Sequence, residues 1–295
     1  MDLLSFARNQ NVPPGALYIV ATPIGNLADM TIRGIHILSV VDGIACEDKR
    51  HTANLLSSYG IQRPLMALHQ HNEHEASELL LQKLKSGERW AYVSDAGTPG
   101  VSDPGAILVK LARNAGVQVI PIPGASAITA LISASGELFQ QQDGQFHFWG
   151  FLPQKKSQKD KTLKTIAANE SGAIFYEAPH RIEETLRSLS IFFDSTRKVM
   201  IAKELTKLHE TILVMSIQEL DEWLTQPQNW QGEFVIAISG QTKKEEGGFN
   251  TEVTEWANLL EEKLGHKELS EILATKFSLP KKEVYDFLLQ RKKQS

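Results

Sequence analysis

Cysteine is nearly absent from this 295-residue sequence, in which Cys46 is the single example. One cysteine excludes an intramolecular disulfide framework and any zinc or iron–sulfur site built from several thiolates. The scarcity fits a reducing compartment, and we expect a cytoplasmic protein. An excess of either charge is also lacking, since 31 basic and 35 acidic residues leave a formal net charge of −4. This balance excludes a protein that coats nucleic acid through its overall charge, although it permits a local basic patch.

Several familiar signatures are missing as well. No G-x-G-x-x-G follows the first predicted strand and no Walker A sequence occurs, so nothing indicates a nicotinamide dehydrogenase or a P-loop ATPase. A G-x-S-x-G nucleophile elbow is also absent. Residues 1–11 lack the apolar core of a signal peptide, and prolines and a glycine interrupt the uncharged window 114–136. We therefore expect a soluble protein with no membrane span.

Strands and helices alternate regularly in the first part of the chain. After a tail over 1–14, strands are predicted at 17–21, 43–46, 65–69, 90–94 and 117–120, with helices between them. This β-α-β-α rhythm is typical of a largely parallel sheet that is covered by helices. It predicts an N-terminal α/β domain over 15–122.

The pattern predicts a second α/β domain over 123–240 and a helical module at the end. Strands in this second part are predicted at 148–152, 173–176, 199–202, 211–215 and 234–238, with a helix at 182–192. The polar, glycine-bearing stretch 241–250 is typical of a linker. The remainder, 251–295, predicts three helices at about 251–264, 267–277 and 280–292.

Four helix starts are predicted from capping residues. Thr52 is expected to cap a helix that ends at Gly60, and residues 72–75 resemble a capping box. Asp103 followed by Pro104 suggests an N-cap with proline in the first helical position. Residues 216–219 form a second capping-box pattern, Ser-Ile-Gln-Glu.

Three turns rich in glycine and proline follow predicted strands, at 21–26, 94–105 and 121–127. Ligands of open parallel sheets bind beyond the carboxyl ends of the strands. Glycines let backbone groups approach a ligand, and prolines fix a loop in advance. Each turn alone could be an ordinary connection, but the second is unusually long and places Asp95 and Asp103 on either side of Gly-Thr-Pro-Gly. We therefore expect a ligand site at these turns.

Seven segments, read together, resemble the tetrapyrrole methylase superfamily: ATPIGNLADMTIRG, EDKRHT, VSDAGTPGVSDPG, PIPGASAITAL, GFLPQKK, FYEAPHR and AKELTKLHE. Within it they resemble the branch that 2′-O-methylates a cytidine of 16S ribosomal RNA in the small subunit. The resemblance implies a two-domain α/β, class III methyltransferase fold with a C-terminal helix-turn-helix-like module. It also implies a homodimer and S-adenosyl-L-methionine as cofactor, folded into the cleft between the α/β domains. One departure is that Lys49 stands where the branch usually has threonine.

The resemblance also implies a set of cofactor-binding residues. Carried over position by position, they are Pro23, Asp95, Gly97, Thr98, Val101, Ser126, Ala127, Tyr176 and Glu233. Small side chains and glycine-rich turns at these positions are compatible with a bent cofactor that contacts backbone groups.

A charged run at 47–51 follows the second predicted strand and is the candidate catalytic segment. Methyl transfer to a ribose hydroxyl is helped by a positioned base and by a cation near the developing oxyanion. We expect Glu47 or Asp48 to accept the proton, and Arg50 to hold phosphate or stabilise the oxyanion. The alternative is a solvated loop of mixed charge, in which case Glu177, Glu204 or solvent would be the base.

Two local basic patches point to RNA. Residues 154–164 hold five lysines against one aspartate, and residues 276–293 hold six basic against two acidic side chains, so each carries +4. Such runs are often only solvated faces, and the apolar positions of the tail could instead serve dimerisation. The predicted substrate-binding residues are Lys155, Lys156, His180, Arg181, Lys203, Glu204, Lys281 and Lys282.

The H-x-H-x-x-H pattern of His69, His71 and His74 invites a metal. It spans a predicted strand end and a helix start, where the rings would point apart, so no metal is predicted. The leading interpretation is thus an rRNA (cytidine-2′-O-)-methyltransferase that uses S-adenosylmethionine. Two alternatives stay open: a tetrapyrrole (precorrin-type) C-methyltransferase of the same fold, and a non-catalytic RNA-binding ribosome assembly factor.

Overall fold

The computed structural model describes residues 5–226, 228–241, 251–261, 263–277 and 279–292. The chain forms two compact units, residues 1–241 and 242–295. The predicted linker lies outside the described residues except for Gln241, so its conformation stays a prediction. Among the described residues, no helix is long and apolar enough to cross a membrane.

The first sheet of the larger unit is entirely parallel, as the alternation predicts. Its five strands have the order β3-β2-β4-β1-β5. They are β1 Leu17–Val20, β2 Gly43–Cys46, β3 Leu65–Ala67, β4 Trp90–Val93 and β5 Val119–Ile122. The helices are α1 Ser5–Arg8, α2 Ile32–Val40, α3 Lys49–Ser58, α4 Glu73–Lys85 and α5 Ala106–Asn114, with a 3₁₀ turn at Leu27–Asp29. Apolar residues are buried on both sheet faces, as expected of parallel strands.

The second sheet of this unit is mixed, with the order β6-β7-β10-β8-β9. Only β6 and β7 pair in parallel; the other pairs are antiparallel. Its strands are β6 Phe146–Phe151, β7 Gly172–Glu177, β8 Lys198–Lys203, β9 Thr211–Ser216 and β10 Phe234–Ile238. The helices here are α6 Ala127–Ser133, α7 Lys156–Ala167, α8 Ile182–Phe192 and α9 Ile217–Trp223, with a 3₁₀ helix at Gly136–Gln142.

Helix α3 begins three residues before the predicted cap. Asp48 is the N-cap, and its Oδ1 accepts hydrogen bonds from the backbone N–H groups of Arg50 (2.7 Å) and His51 (3.1 Å). Because the helix starts at Lys49, Thr52 falls in its first turn and is buried. The prediction that Thr52 caps this helix was therefore wrong, since Asp48 supplies a cap directly at the end of β2.

Helices α4 and α5 begin differently from the capping patterns. Asn72 precedes α4 without a side-chain cap bond; its Oδ1 accepts instead from the His69 N–H. Glu73 Oε1 reaches the next helix, where it accepts from the N–H groups of Gly105 (2.8 Å) and Ile107 (2.9 Å). The expected capping box at 72–75 and the expected start at Asp103-Pro104 were therefore wrong. The capping box at Ser216 and Glu219 is confirmed.

The smaller unit contains helices α10 Thr251–Leu260, α11 His266–Phe277 and α12 Lys281–Lys292. Their buried core is Val253, Ala257, Leu269, Leu273, Val284 and Leu288. The break between α11 and α12 includes Ser278, which lies outside the described residues. The apolar positions that could have served dimerisation are thus used largely in the module's own core.

Candidate active site

A cavity of about 390 Å³ lies within the larger unit, between loops of the two sheets. One wall comes from segments that follow β1, β4 and β5, and the other from the ends of β6, β7 and β10 and the turn after β8. The lining residues are Ile24, Ala96, Gly97, Thr98, Val101, Ser102, Asp103, Ser126, Ala127, Phe151, Tyr176, Glu177, Ala178, Pro179, Leu205, Glu233, Phe234 and Val235. Its size and its mixture of apolar walls with a few polar groups are typical of a small-molecule site.

Backbone bonds hold the three glycine-rich turns of the first sheet together. Thr22 and Gly97 exchange both of their backbone hydrogen bonds, at 2.9 and 3.0 Å. The Thr98 hydroxyl donates to the carbonyl of Ala125 at 3.0 Å. Gly97 has a positive φ of 78°, a conformation that favours glycine. The long loop is therefore ordered by its neighbours before any ligand arrives.

Most of the sequence-predicted cofactor residues converge on this cavity. Seven of the nine line it: Gly97, Thr98, Val101, Ser126, Ala127, Tyr176 and Glu233. Pro23 and Asp95 are not among the lining residues. Because the N–H and C=O of Gly97 are both bonded to Thr22, this residue contributes space and not free backbone groups. The cofactor roles themselves stay predictions.

An acidic cluster lies beside the cavity, at the ends of β2 and β4. It comprises Glu47, Asp95 and Asp103, of which Asp103 lines the cavity. Burial, followed by the charges of Asp95 and Asp103, raises the pKa of Glu47 above its ordinary value. Burial also raises the pKa of Asp103, and the charge of Asp95 acts in the same direction. Glu47 and Asp103 therefore retain their protons more readily than isolated carboxyl groups.

The pKa of Asp48 is shifted in the opposite direction. The backbone hydrogen bonds that it accepts as the cap of α3 lower its pKa. Its own N–H donates to Asp95 Oδ1 at 3.1 Å, which ties the start of α3 to the long loop. Arg50, two residues on, is exposed in the first turn of the helix. Of the two carboxylates predicted as bases, Glu47 thus has the electrostatics of a proton acceptor, whereas Asp48 organises the helix.

The second wall rests on a buried carboxylate, Glu177. Its oxygens accept from the Thr185 hydroxyl (2.7 Å) and the Ala178 N–H (2.9 Å), and one lies 3.3 Å from Arg181 Nε. The Arg181 guanidinium also donates to the carbonyls of Leu152 and Pro153. Arg181, which was predicted to bind substrate, therefore joins β6 to β7, and its contact with substrate stays a prediction.

A second charged cluster holds the turn that precedes β10. Glu204 Oε1 accepts from the Glu233 N–H at 2.9 Å and from Lys207 Nζ at 2.8 Å. The hydrogen bond from Lys207 is the main cause of a lowered pKa of Glu204. Lys203 donates to the carbonyl of Asn229 at 2.7 Å. The structure thus gives Lys203 and Glu204 partners within the chain, and their contact with substrate is still untested.

The remaining substrate candidates lie at exposed positions. Lys155 is the N-cap residue of α7 and Lys156 is its first residue, and His180 follows the cavity residue Pro179. In the smaller unit Lys281 pairs with Glu271 at 2.9 Å and Lys282 is exposed. Within the described part of the chain, no group of three or more histidine, cysteine or acidic side chains has a metal-binding arrangement.

Sequence reasoning gave no role to one aromatic residue of the cavity. Phe151 ends β6 at the cavity and is 56% exposed. The available signal was a large aromatic residue at a predicted strand end, directly before Leu-Pro. A ring at the end of a strand has few neighbouring side chains that can bury it. Asp103 was expected both in the ligand loop and as a helix cap; it lines the cavity, and Gly105 is the N-cap of α5.

Comparison with known proteins gives one family and a consistent group of relatives. Residues 16–221 match the family model described as "Tetrapyrrole (Corrin/Porphyrin) Methylases". The chain is 42% identical to "Ribosomal RNA small subunit methyltransferase I" of Pasteurella multocida, over 94% of this chain and 97% of that protein. It is 43% identical to the protein of that name from Haemophilus influenzae, over 92% and 96%. The Escherichia coli O157:H7 protein of that name is 40% identical, over 94% and 96%.

Solved structures with the same fold are more distant in sequence. A cobalt precorrin-4 methyltransferase of cobalamin biosynthesis superposes with a TM-score of 0.56 at 16% identity, covering 76% of this chain and 94% of that one. A uroporphyrin III C-methyltransferase from Thermus thermophilus gives a TM-score of 0.53 at 14% identity, covering 76% and 97%. These likenesses establish the architecture and carry no information about substrate.

Proposed function

Because this chain belongs to the tetrapyrrole (corrin/porphyrin) methylase family, we propose that it transfers a methyl group from S-adenosylmethionine to the ribose 2′-hydroxyl of a cytidine in 16S ribosomal RNA. The observation that carries the proposal is the convergence of seven predicted cofactor residues on one cavity, beside an acidic cluster that can accept a proton. The enzyme acts in the cytoplasm, where small subunits are assembled.

Sequence similarity favours RNA over a macrocycle as the substrate. The relatives named for the small-subunit RNA are 40–43% identical over nearly the whole chain, including the helical tail. The macrocycle methyltransferases share the fold at only 14–16% identity and cover about three quarters of it. A small macrocycle also needs neither the basic stretch around Lys155 nor a helical module.

The cavity residues suit S-adenosylmethionine. This molecule carries a positively charged sulfonium and an ammonium group, and Asp103 and Glu233 are acidic residues of the lining, the second also paired with Lys207 at 3.2 Å. The small residues Gly97, Ser126 and Ala127 leave space at the wall formed by the first sheet, and Tyr176 and Phe234 give apolar surface to the wall formed by the second sheet. Burial raises the pKa of Tyr176 to about 12, so its phenol stays neutral. When bound, the cofactor supplies an electrophilic methyl group on sulfur.

Glu47 is the proton acceptor in this mechanism. Its raised pKa lies closer to the working pH than that of an ordinary carboxylate, which makes it a better base. Asp48 orients the segment through the cap of α3 and through its bond to Asp95. Arg50, at the exposed start of that helix, binds an RNA phosphate or stabilises the developing oxyanion. Correct placement of the ribose supplies much of the remaining rate.

RNA binds along the basic surfaces. Lys155 and Lys156 hold phosphates, and the helices within residues 251–292 also dock RNA, with Lys281 and Lys282 among the contacts. Phosphate contacts of this kind give affinity and register and leave sequence selection to other groups. The enzyme functions as a homodimer.

The decisive experiment is methylation of purified RNA. The protein is incubated with methyl-labelled S-adenosylmethionine and small subunits from cells that lack it, and the RNA is digested and analysed by mass spectrometry. We expect label on a cytidine ribose of these subunits, and no label on subunits from cells that contain the protein, because their RNA is already methylated. In a parallel incubation with an added tetrapyrrole, label on the tetrapyrrole and none on RNA would support the C-methyltransferase alternative. Absence of cofactor binding would support an assembly factor.

A further inference from the structure

Phe151 is an unusual member of the cavity wall. Of the described residues that line the cavity, it alone is a large apolar side chain with more than half of its surface exposed. An aromatic ring of this size gains free energy from burial, so a ligand that covers Phe151 at the edge of the cavity would gain affinity from the contact.

A β-bulge directs this side chain toward the cavity. In the pairing of β6 with β7, Phe148 lies opposite Ile174 and Phe151 lies opposite Tyr176, so β6 has one residue more than its partner over this interval. The extra residue coincides with Gly150, whose φ is +63°. A Cβ at Gly150 would lie only 3.4 Å from Ser102 Oγ in the long loop. Bulges commonly re-aim a side chain beside an active site.

The backbone that follows Phe151 is held firmly. Arg181 donates to the carbonyl of Leu152 at 2.8 Å and to that of Pro153 at 3.1 Å. Arg181 is itself held by the buried carboxylate of Glu177. These charge-assisted contacts fix the end of β6, so the ring is presented by rigid backbone.

The ring also packs against a fixed aromatic neighbour. The centroids of Phe151 and Tyr176 are 5.5 Å apart in a T-shaped contact, and Tyr176 makes a second T-shaped contact with Phe148 at 4.9 Å. The contact sets the tilt of the Phe151 ring while most of its surface stays open. A preorganised, half-open aromatic ring is a stacking platform for a flat ligand.

Exposed cations follow this platform closely in the chain. Lys155 and Lys156 follow four and five residues later, at the start of α7, and both are exposed. An aromatic platform flanked by lysines is the arrangement with which proteins bind single-stranded nucleic acid, where bases stack and phosphates meet positive charge. RNA bases that are splayed out of a loop are commonly bound by such stacking.

We propose that Phe151 is the platform on which the base of the target nucleotide stacks while its ribose lies in the cavity. This inference rests on the proposed function, because it assigns the position of the nucleotide that is methylated. Stacking tolerates any base, so Phe151 contributes affinity and placement, and the choice of cytosine depends on other groups.

The test compares Phe151→Leu with Phe151→Tyr and with Phe146→Leu. Leucine keeps apolar volume but removes the aromatic face, whereas tyrosine keeps the face. Phe146 is the matched control, because it lies at the other end of the same strand, is 36% exposed and packs against Phe139. For each variant we would measure the KM for methyl-deficient small subunits, kcat, calorimetric affinity for S-adenosylmethionine, and oligomeric state by sedimentation.

We expect Phe151→Leu to raise the KM for the subunit about 5- to 150-fold, the range that corresponds to the loss of one base–aromatic stack. Cofactor affinity should stay within about twofold in every variant, and Phe151→Tyr and Phe146→Leu should keep a KM near that of the wild type. An unchanged KM in Phe151→Leu overturns the proposal. A parallel loss of cofactor affinity assigns the ring to the cofactor, and dissociation of an oligomer assigns it to a second copy; either result also overturns it.

A direct binding arm separates this inference from the proposed function. Fluorescence anisotropy of a labelled 16S RNA fragment is measured with wild-type protein and with Phe151→Leu. If the wild type methylates no ribose, the proposed function fails. Equal RNA affinities of the wild type and Phe151→Leu would overturn the stacking proposal, whatever the methylation assay shows.

Discussion

At the scale of single residues, two adjacent carboxylates have different tasks. Glu47 is half-buried next to Asp95 and Asp103, and Asp48 is exposed and bonded to two backbone N–H groups. The sequence alone offered them as equivalent candidates because both follow β2. Their difference depends on a loop about fifty residues later in the chain, which sequence spacing cannot locate.

Glu47→Gln should lower the single-turnover rate of methylation about 10²- to 10⁴-fold, the usual cost of removing a general base. Asp48→Asn should leave chemistry nearly unchanged, since asparagine caps a helix about as well as aspartate. Rapid-quench measurements at saturating cofactor and RNA give the rate, and calorimetry confirms that cofactor binding is intact. Equal losses of rate in the two variants would show that the segment contributes through its conformation and that Glu47 is not the base.

The pH dependence of the rate follows from the acidic cluster. Glu47 must be deprotonated to accept a proton, so the rate should rise with pH through its pKa, which Asp95 and Asp103 keep above the ordinary value. Asp95→Asn removes one of these charges but keeps an oxygen acceptor for the Asp48 N–H. The acidic limb of the kcat profile should therefore move to lower pH, by up to about one unit. A shift to higher pH, or none, would contradict the assignment of Glu47 as the base.

At the scale of helices and strands, elements with strong local signals were predicted to the residue. Strand β2 (Gly43–Cys46), strand β10 (Phe234–Ile238) and helix α8 (Ile182–Phe192) all have the bounds expected from sequence. The apolar periodicity and the flanking turn residues suffice to predict these bounds, because the burial of each element against one core determines where it begins and ends.

Elements that depend on distant partners were missed. Helix α7 was read only as a basic stretch, because its sequence KSQKDKTLKTIA has few apolar positions. The structure buries Lys159 within it and pairs its ammonium with Glu184 of α8 at 2.7 Å. The start of α5 was wrong for a similar reason, since its capping carboxylate, Glu73, belongs to the preceding helix.

The shared cap predicts a stability effect. Glu73→Ala should lower the free energy of unfolding by about 0.5 to 2 kcal/mol, because the Gly105 and Ile107 N–H groups lose their acceptor. Glu75→Ala is the control, as Glu75 is exposed in the same helical turn. Urea titration followed by circular dichroism measures both variants. Equal and small effects would show that water replaces the carboxylate without loss.

At the scale of the whole molecule, the fold and the turns that line the cavity could be predicted, but the use of each surface could not. The turns that form the cavity are rich in glycine and proline, and this local signal can be recognised in a single sequence. No comparable local signal tells whether a lysine faces solvent or is buried. Lys155 is exposed, whereas Lys159, four residues later, is buried.

Removal of residues 242–295 should leave cofactor affinity unchanged, because every described residue that lines the cavity belongs to the larger unit. RNA affinity should fall, and each lost phosphate contact should reduce the slope of log K against log salt by about 0.7 to 0.9. Lys282→Gln should show a smaller change of the same kind, and Lys85→Gln, exposed on α4, should show none. An unaltered salt slope in the truncated protein would assign the helices to another task.

The order of strands in the first sheet also has a consequence during synthesis on the ribosome. Strand β1 pairs with β4 and β5, whereas β2 can pair with β3 as soon as both have emerged. About 70 residues must be translated after Val20 before β4 is complete, which takes on the order of ten seconds at ordinary elongation rates. Throughout this interval Leu17–Val20, an apolar segment of high strand propensity, has no native partner in the nascent chain. Early binding of a holdase chaperone at β1 would keep this segment from pairing with other unfinished chains until its own sheet can close around it.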